Sequence, residues 1–250
     1  MSPGASELMI PGFSYPAQKM VDFMIKLAAP IEQDQPVPNV NWREALRCPE
    51  TRMNARLRAS VHAIESCLDL YDDSQFYIAE QVTPLFKYLK SRFDRIIGSE
   101  FLGNAVPLGQ LNQRGVRNED LCQLTFENDF LDAVLSFDVM EHVPDYVRAI
   151  RESFRVLRPG GRFFWSAPVN LNSLTTAVRA VIENGKIKHL LPPQYHGDPI
   201  SGDGVLCYQI FGWDVLETIR EVGFRDVCLM VCHGQQFGYY KPNIFFYAIK

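Results

Sequence analysis

The clearest pattern of hydrophobic and polar positions lies between Leu131 and Val169, which reads as one strand–helix–strand unit. Ala133–Phe137 is a short apolar run of the kind that forms a strand buried on both faces of a parallel sheet. Pro159–Gly161 ends the helix that follows, and Arg162–Ala167 resumes as a strand. The inward positions of that helix recur at helical spacing: Val147, Ile150, Phe154 and Leu157. A right-handed βαβ crossover is the expected geometry.

The same reasoning predicts further elements on either side of this unit. Before it, strands are predicted at Gln75–Ala79, Arg95–Ser99 and Val116–Gln123, with a helix at Pro84–Phe93. After it, a helix at Val215–Val222 precedes two antiparallel strands, Asp226–His233 and Asn243–Lys250. Strands that alternate with helices indicate an α/β fold built on a mostly parallel sheet.

Residues 1–70 differ in pattern from the rest and are predicted to form an extension of the main domain, which covers residues 71–250. The 250 residues are enough for one main core, and a second independent core is not expected. Within the extension we predict, in chain order, a loose tail at Met1–Tyr15, a short helix at Pro16–Ala29, a linker at Pro30–Asn41 and one or two helices at Trp42–Leu70.

Asn170–Gln209 is too long for an ordinary connection, and we predict a lid or substrate-binding insertion at about residues 170–210. Thr175–Glu183 within it is predicted to be helical. The stretch from His189 to Pro199 holds a histidine, a tyrosine and an aspartate between prolines and glycines, which is typical of a functional loop. A surface turn in which Asp198 caps local amides is the alternative.

Composition and charge exclude several classes of partner. The chain has 25 basic and 29 acidic residues and no dense basic run, so no nucleic-acid partner is expected. Its six cysteines are scattered without a disulfide pattern, which favours reduced thiols and a cytoplasmic location. Neither a signal peptide nor an apolar run near the roughly 20 residues that span a bilayer is present, so no membrane partner is expected.

The segment SFDVMEHVPDYVRAIRESFRVLRPGGRFFWSAP, with its EHV and LRPGG turns, resembles the region from the fourth to the fifth strand of the class I S-adenosylmethionine-dependent methyltransferases. The resemblance, of the type 11 kind, spans about Phe76 to Lys250. It implies a Rossmann-like, seven-stranded, mostly parallel sheet with an antiparallel last strand and helices on both faces. An amino-terminal helical extension and the lid insertion would be added to it.

The resemblance also implies S-adenosyl-L-methionine as the cofactor and a set of residues that bind it. The family normally has a glycine-rich loop after the first strand, but this chain has Glu80-Gln81-Val82-Thr83 there, which marks a subgroup with a modified first motif. An acidic residue after the second strand would bind the ribose hydroxyls, and one after the third strand would bind the adenine amino group. The residues assigned to the cofactor are Glu80, Gln81, Thr83, Glu100, Phe101, Asp120, Leu121, Phe137 and Asp138.

Two histidines are candidates for the general base that would take the proton of the methyl acceptor. His142 is the first candidate, because it follows the fourth strand of the family's sheet, and a structural role in its turn is the alternative. His196 from the insertion is the second candidate, with Asp198 as its orienting group. Asp138 and Glu141 lie near His142, but no third metal ligand is evident at helical or strand spacing, so no metal site is expected.

The predicted function is therefore methyl transfer from S-adenosylmethionine to a small molecule, sugar or other glycan, or secondary metabolite, by in-line displacement with a general base. A homodimer is a further candidate assembly. A catalytically silent binding or scaffold protein on the same fold is the main alternative, because a fold does not secure a function. An oxidoreductase that uses a nicotinamide cofactor is disfavoured, since the chain lacks a GxGxxG turn.

Overall fold

The computed structural model describes residues 7–26, 40–197 and 204–250. Most of the predicted linker Pro30–Asn41 lies outside the described residues, as does Asp198. The described helices are α1 Trp42–Ala45, α2 Ala55–Cys67, α3 Pro84–Lys90, α4 Tyr146–Val156 and α5 Asp214–Val222. The described strands are β1 Glu7–Ser14, β2 Lys19–Lys26, β3 Phe76–Ile78, β4 Ile96–Gly98, β5 Leu131–Phe137, β6 Leu157–Ser166, β7 Ala177–Val178, β8 Ala180–Glu183, β9 Lys186–His189, β10 Tyr195–His196, β11 Val205–Leu206, β12 Gln209–Ile210, β13 Arg225–Gly234 and β14 Tyr239–Ile249. No described helix is both long and apolar enough to cross a membrane.

The main sheet has six strands among the described residues, in the order β13-β14-β6-β5-β3-β4. β4, β3, β5 and β6 run parallel to their neighbours, and β14 pairs antiparallel with β6. The predicted fold class is confirmed: a mostly parallel α/β sheet that ends in an antiparallel strand. Because parallel strands share one carboxyl edge, the residues after β3, β4 and β5 lie at the same edge of the sheet.

Side-chain alternation along the strands divides the sheet residues between two faces. One face carries Tyr77, Val134, Phe163 and Trp165, which form a buried cluster with Ala149 and Ile150 of α4 and with Val215 and Ile219 of α5. On the alternate positions, the ring of Phe76 meets the edge of Phe93 with the two ring centroids 5.1 Å apart. Phe93 lies just after α3, so this second face has apolar cover as well.

The predicted sheet has seven strands, and one of them is not present in the main sheet among the described residues. Val116–Gln123, predicted as the third strand of the sheet, forms isolated bridges and no described strand: Asn118 bridges Glu100 in parallel, and Leu111–Arg117 and Asp120–Gln123 are antiparallel. Its polar side chains explain the difference, because they bond locally instead of extending a strand. Asp120 Oδ1, for example, accepts a hydrogen bond from the backbone N–H of Cys122 at 2.8 Å.

The chain divides into two compact units, and the smaller one contains Met1–Asp69 with Val231–Asn243. The predictions of a loose tail and a short helix at its start are wrong for the described residues. β1 and β2 form an antiparallel hairpin, because Phe23 and Ile25 alternate with exposed positions in the period of a strand. In the same unit the guanidinium of Arg58 is buried over the ring of Phe23 at 3.9 Å, and burial lowers the pKa of Arg58 to about 10.

The larger unit contains Leu70–Met230 with Ile244–Lys250, and the segment predicted to be a lid or substrate-binding insertion, at about residues 170–210, falls within it. The helix predicted at Thr175–Glu183 is wrong, since this segment contains β7 and β8. β8 and β9 form a hairpin whose turn residues Asn184 and Gly185 have φ of 52° and 72°. Asn-Gly favours this type of turn, because both residues tolerate positive φ, so the sequence did contain the signal for a hairpin.

Candidate active site

The loop after β3 is held by the carboxylate that follows β4. Glu100 Oε1 accepts hydrogen bonds from the backbone N–H groups of Gln81 at 2.7 Å and Val82 at 3.0 Å. Gly98 lets β4 approach this loop closely, because a Cβ at residue 98 would lie 2.4 Å from the ring of Phe86 and 2.8 Å from the carbonyl oxygen of Glu80. In the family, a glycine-rich loop after the first strand allows backbone to approach closely. In this chain, Gly98 at the end of β4 allows the close approach instead.

The side chain of Gln81 joins the same loop to the segment before Asn118. Its Oε1 accepts from the backbone N–H of Arg117 at 2.8 Å, and its Nε2 donates to the carbonyl oxygen of Gly115 at 2.8 Å. Thr83 caps α3, because its hydroxyl accepts from the backbone N–H of Phe86 at 3.2 Å. Both residues were predicted to bind the cofactor, and in the structure both make hydrogen bonds within the chain.

The other predicted cofactor residues differ in exposure. Phe101 is 67% exposed, whereas Leu121 is 6% exposed and belongs to the core. Buried Asn118 holds the segment that carries Phe101, because its Oδ1 accepts from the backbone N–H of Leu102 at 2.7 Å and its Nδ2 donates to the carbonyl oxygen of Gly103 at 3.0 Å. The sequence analysis missed Asn118, for which no sequence pattern is a signal.

At the end of β5, Phe137 is buried against the rings of Phe164 and Phe245. Asp138 follows with φ of 56°, and its Oδ1 accepts a hydrogen bond from the hydroxyl of Ser166 at 2.8 Å. The left-handed conformation at Asp138 turns the chain from the strand into the short 3-10 turn Met140–His142.

This turn carries a fully buried carboxylate at the same edge of the sheet. Glu141 is 0% exposed, and neither of its carboxylate oxygens accepts a hydrogen bond from the described residues. Its Oε1 lies 3.7 Å from His142 Nε2 and 3.3 Å from His196 Nδ1. The two imidazole rings meet edge to face, with centroids 5.0 Å apart. The two predicted catalytic histidines are thus brought together around a glutamate.

Backbone contacts of the insertion fix the positions of both histidines. His142 Nδ1 lies 2.8 Å from the carbonyl oxygen of Leu206, and β11, which contains Leu206, pairs with β10, which contains His196. Tyr208 N–H donates to the carbonyl oxygen of Glu141 at 2.8 Å. Gln209 Nε2 donates to the carbonyl oxygens of the 3-10 turn region, at Met140 and Val143.

Nearby thiols are held in the neutral form. Cys207 is fully buried between Leu206 and Tyr208, and burial together with the charge of Glu141 raises the pKa of its thiol. Burial and the neighbouring Asp120 raise the pKa of the Cys122 thiol to about 12. A thiolate nucleophile is therefore not available at either position at neutral pH. Glu141, His142 and His196 are the clustered titratable side chains that the described residues offer for chemistry here.

A separate open cavity of about 660 Å³ is lined by residues between Ala105 and Arg114. None of the predicted site residues lines it, so the strand ends and the glutamate–histidine cluster are the better candidate for an active site.

Comparison with known proteins identifies the class of the domain. Residues 83–165 match the family described as "Methyltransferase domain". The structure is similar to an S-adenosylmethionine-dependent methyltransferase from Mesorhizobium loti, with a TM-score of 0.50, 16% identity, and coverage of 77% of this chain and 98% of that one. A similar protein from Listeria monocytogenes, named a putative methyltransferase of the same type, gives a TM-score of 0.50 at 13% identity, with 77% and 98% covered. These structural likenesses concern the fold.

Two sequence relatives belong to the same class. A probable S-adenosylmethionine-dependent methyltransferase of Mycolicibacterium smegmatis is 42% identical over 53 residues, which cover 21% of each chain. The demethylmenaquinone methyltransferase of Listeria welshimeri is 26% identical over 131 residues, 50% of each chain. The matches span between about a fifth and a half of these relatives. The resemblance to the class I, type 11-like methyltransferases is confirmed by the family match over residues 83–165 and by the fold of the structural neighbours.

Proposed function

We propose that this protein is an S-adenosylmethionine-dependent methyltransferase that acts on a small-molecule acceptor. The observation that carries the proposal is the cluster of Glu141, His142 and His196 at the carboxyl edge of a methyltransferase-type sheet. Ligands of open α/β sheets bind beyond that edge, so groups able to move a proton stand where an acceptor would meet the cofactor.

The side chains at the strand ends fit the cofactor chemically. S-adenosylmethionine presents an ammonium group, two ribose hydroxyls and an adenine amino group, all of which donate hydrogen bonds. Glu80, Glu100 and Asp120 are acceptors that follow three successive segments of the sheet region, and the exposed ring of Phe101 offers a flat apolar surface. We assign the ammonium to Glu80, the ribose to Glu100 and the adenine amino group to Asp120.

When bound, the cofactor supplies an electrophilic methyl group on a sulfonium. The protein must then orient the acceptor and take its proton. His142 suits this role because of its tautomer. Its Nδ1 faces the carbonyl oxygen of Leu206, and since a carbonyl oxygen can only accept a hydrogen bond, Nδ1 carries the hydrogen. A neutral His142 then has its lone pair on Nε2, which accepts the proton. The carboxylate of Glu141, 3.7 Å away, stabilises the imidazolium.

The acceptor class rests on the relatives. The Listeria welshimeri relative is named for methylation of demethylmenaquinone, a small molecule, and it covers half of this chain. A small molecule is the acceptor class that we propose, with sugars and secondary metabolites included.

Calorimetric titration with S-adenosylmethionine and S-adenosylhomocysteine tests the proposal. We expect micromolar binding that Phe101→Ala weakens without a change in stability, because this side chain is 67% exposed. Glu127→Ala, at an exposed position of the same unit, is the matched control and should bind as the wild type does. Turnover with hydroxylated acceptors is then followed by release of S-adenosylhomocysteine.

The silent scaffold is the second candidate, and one observation favours it. Gln81, Thr83 and Glu100, where a glycine-rich loop would leave backbone open, all make hydrogen bonds within the chain. Absence of binding to either cofactor form would support the scaffold and contradict the enzyme.

A further inference from the structure

We propose that Glu141, His142 and His196 form a binding site for a divalent transition-metal ion of the Zn²⁺ or Fe²⁺ type. One ligand atom from each of the three residues lies within 4.8 Å of the others. The site is separate from the residues assigned to the cofactor. Binding of the ion can be measured without cofactor, so it does not rest on the proposed methyl transfer.

The first argument is the electrostatics of the buried carboxylate. A fully buried carboxylate without hydrogen-bond donors is strongly destabilised unless a positive charge compensates for it. Glu141 is 0% exposed, and no described residue donates a hydrogen bond to Oε1 or Oε2. Among the described residues, the ion-pair partners of Glu141 are His142 and His196, which are charged only when protonated. A cation bound between the three side chains supplies the missing charge.

The second argument is the tautomer of His142. Its Nδ1 donates to the carbonyl oxygen of Leu206 at 2.8 Å, so the neutral ring directs a lone pair from Nε2 toward Glu141 Oε1 at 3.7 Å. Two electron-rich atoms that face each other repel, and a cation between them turns the repulsion into coordination. Metal-binding histidines in proteins commonly donate their other N–H to a backbone carbonyl in this way.

His196 can present a lone pair to the same point. Its Nδ1 lies 3.3 Å from Glu141 Oε1, and its Nε2 lies 3.2 Å from the side-chain nitrogen Nε2 of Gln194. With the oxygen of the Gln194 amide turned toward His196 Nε2, the ring donates to Gln194 and directs the Nδ1 lone pair toward Glu141. Orientation of a side-chain amide is an assignment, and a half turn exchanges its oxygen and nitrogen.

The spacing of the donors matches the chemistry of the ion. Ligands about 2.0–2.2 Å from a tetrahedral zinc lie roughly 3.3 Å from one another. The two distances from Glu141 Oε1, at 3.3 and 3.7 Å, are close to that value. Two imidazoles with one carboxylate suit zinc or iron(II) and are poor ligands for Mg²⁺ or Ca²⁺.

Three protein ligands leave a coordination position open, which is the arrangement of catalytic rather than structural zinc sites. An acceptor hydroxyl bound at that position would release its proton to solvent more easily, because the metal would stabilise the oxyanion. In the loaded protein the ion takes the place of the proton on His142 Nε2. The imidazole is the base in the metal-free protein.

The test uses the full chain after treatment with a chelator and removal of the chelator. Zn²⁺ is titrated by calorimetry into the wild type and into Glu141→Gln, His142→Ala and His196→Ala, with His189→Ala as the matched control on an exposed strand of the same insertion. We expect one equivalent to bind, each of the three variants to lose at least about 10-fold in affinity, and the control to match the wild type.

The absorption spectrum of the wild-type protein with Co²⁺ is a second test that does not depend on whether the variants fold. Ligation by nitrogen and oxygen gives visible d–d bands without an intense thiolate-to-cobalt charge-transfer band in the near ultraviolet. Visible bands of this kind in the wild type support the site. A thiolate band, binding that all three variants retain, or no binding in the wild type would overturn it. These readouts do not involve S-adenosylmethionine, so a failure here is distinct from a failure of methyl transfer.

Discussion

Glu119 and Glu141 are both buried in the larger unit, yet their surroundings differ. Glu119 is 2% exposed, and its carboxylate accepts hydrogen bonds from Arg117 Nε at 2.8 Å and from the backbone N–H and hydroxyl of Thr125 at 3.0 and 2.6 Å. Glu141 is 0% exposed and accepts none from the described residues. A buried acid with all its donors in place stabilises the fold, whereas one without donors is retained for its chemistry.

This contrast separates two kinds of polar residue at the edge of the sheet. Those around the modified first motif bond to one another and hold three loops together, as Glu100 and Gln81 do. Those around Glu141 bring one carboxylate oxygen and two imidazole nitrogens within 4.8 Å of one another. Mutations should therefore affect stability in the first group and activity in the second.

Glu119→Ala is expected to have the largest effect on stability. The variant leaves the guanidinium of Arg117 and the backbone N–H of Thr125 without their acceptor, and loss of a buried charged partner destabilises by about 3 kcal/mol. Urea denaturation followed by circular dichroism measures the free energy of unfolding. Glu127→Ala is the exposed control and should change it by less than about 0.5 kcal/mol. A small loss in Glu119→Ala would remove the distinction between the two glutamates.

Glu141→Gln should give the opposite result. Because its carboxylate has no hydrogen-bond donor to lose, the free energy of unfolding should stay within about 0.5 kcal/mol of the wild type or rise. Turnover should fall about 100-fold, since the site loses the charge that stabilises a protonated His142 or binds a cation. Release of S-adenosylhomocysteine measures turnover, and affinity for the cofactor is the internal control. If Glu141→Gln were less stable than the wild type and fully active, Glu141 would be a structural residue and not a residue of the active site.

Glu100→Ala tests the boundary between the two groups. Glu100 both holds the loop and is proposed to bind the ribose, so we expect about a 10-fold loss of affinity for S-adenosylmethionine. The loss should be accompanied by a decrease in stability of about 1 kcal/mol, because two backbone N–H groups lose their acceptor. Calorimetry and urea denaturation measure the two effects. Unchanged affinity together with lower stability would make Glu100 a purely structural residue.

The sequence predicts the central sheet well because its information there is local. β5 is buried throughout and mostly apolar, and the PGG turn lies at the start of β6, so the strand–helix–strand unit can be read from neighbouring residues. The β1–β2 hairpin was missed, because its inward residues alternate in a segment rich in turn formers. Asn184-Gly185 is a sequence signal for a β-hairpin turn, but Thr175–Glu183 was predicted to be helical and the hairpin was therefore not predicted.

The site could be predicted only in part for the same reason. His142 and Glu141 are adjacent in sequence, so their position after β5 follows from the strand assignment. His196 reaches them through the pairing of β10 with β11 and the contacts of Leu206 and Tyr208, which no local pattern encodes. The same long-range contacts supply the third ligand that the sequence analysis lacked when it predicted no metal site.

Glu152→Gln is expected to have the smallest effect and completes the comparison with a partly exposed glutamate. The hydrogen bond from Arg155 lowers the pKa of Glu152 below its ordinary value of 4.5, and burial opposes the shift. The stabilisation is therefore present above the ordinary pKa and is lost as the pH falls through the lower pKa of the folded state. At neutral pH we expect the variant to lose about 0.5 kcal/mol, and the difference from the wild type should shrink toward zero in acid.

Glu217→Gln is the matched control for this measurement, because Glu217 pairs with Arg220 at the same i,i+3 spacing but with both side chains more exposed. The Glu217 variant should show a smaller difference at neutral pH, because both partners of its ion pair are more exposed. Urea denaturation from neutral pH down to about pH 2 provides both curves. Equal pH dependence in the two variants would mean that the backbone N–H of Leu124, which donates to Glu152 Oε2 at 3.0 Å, adds nothing to the ion pair. The number of hydrogen bonds that a carboxylate accepts would then not predict how much it contributes to stability. The distinction between Glu119 and Glu141 would have to rest on the activity of their variants alone.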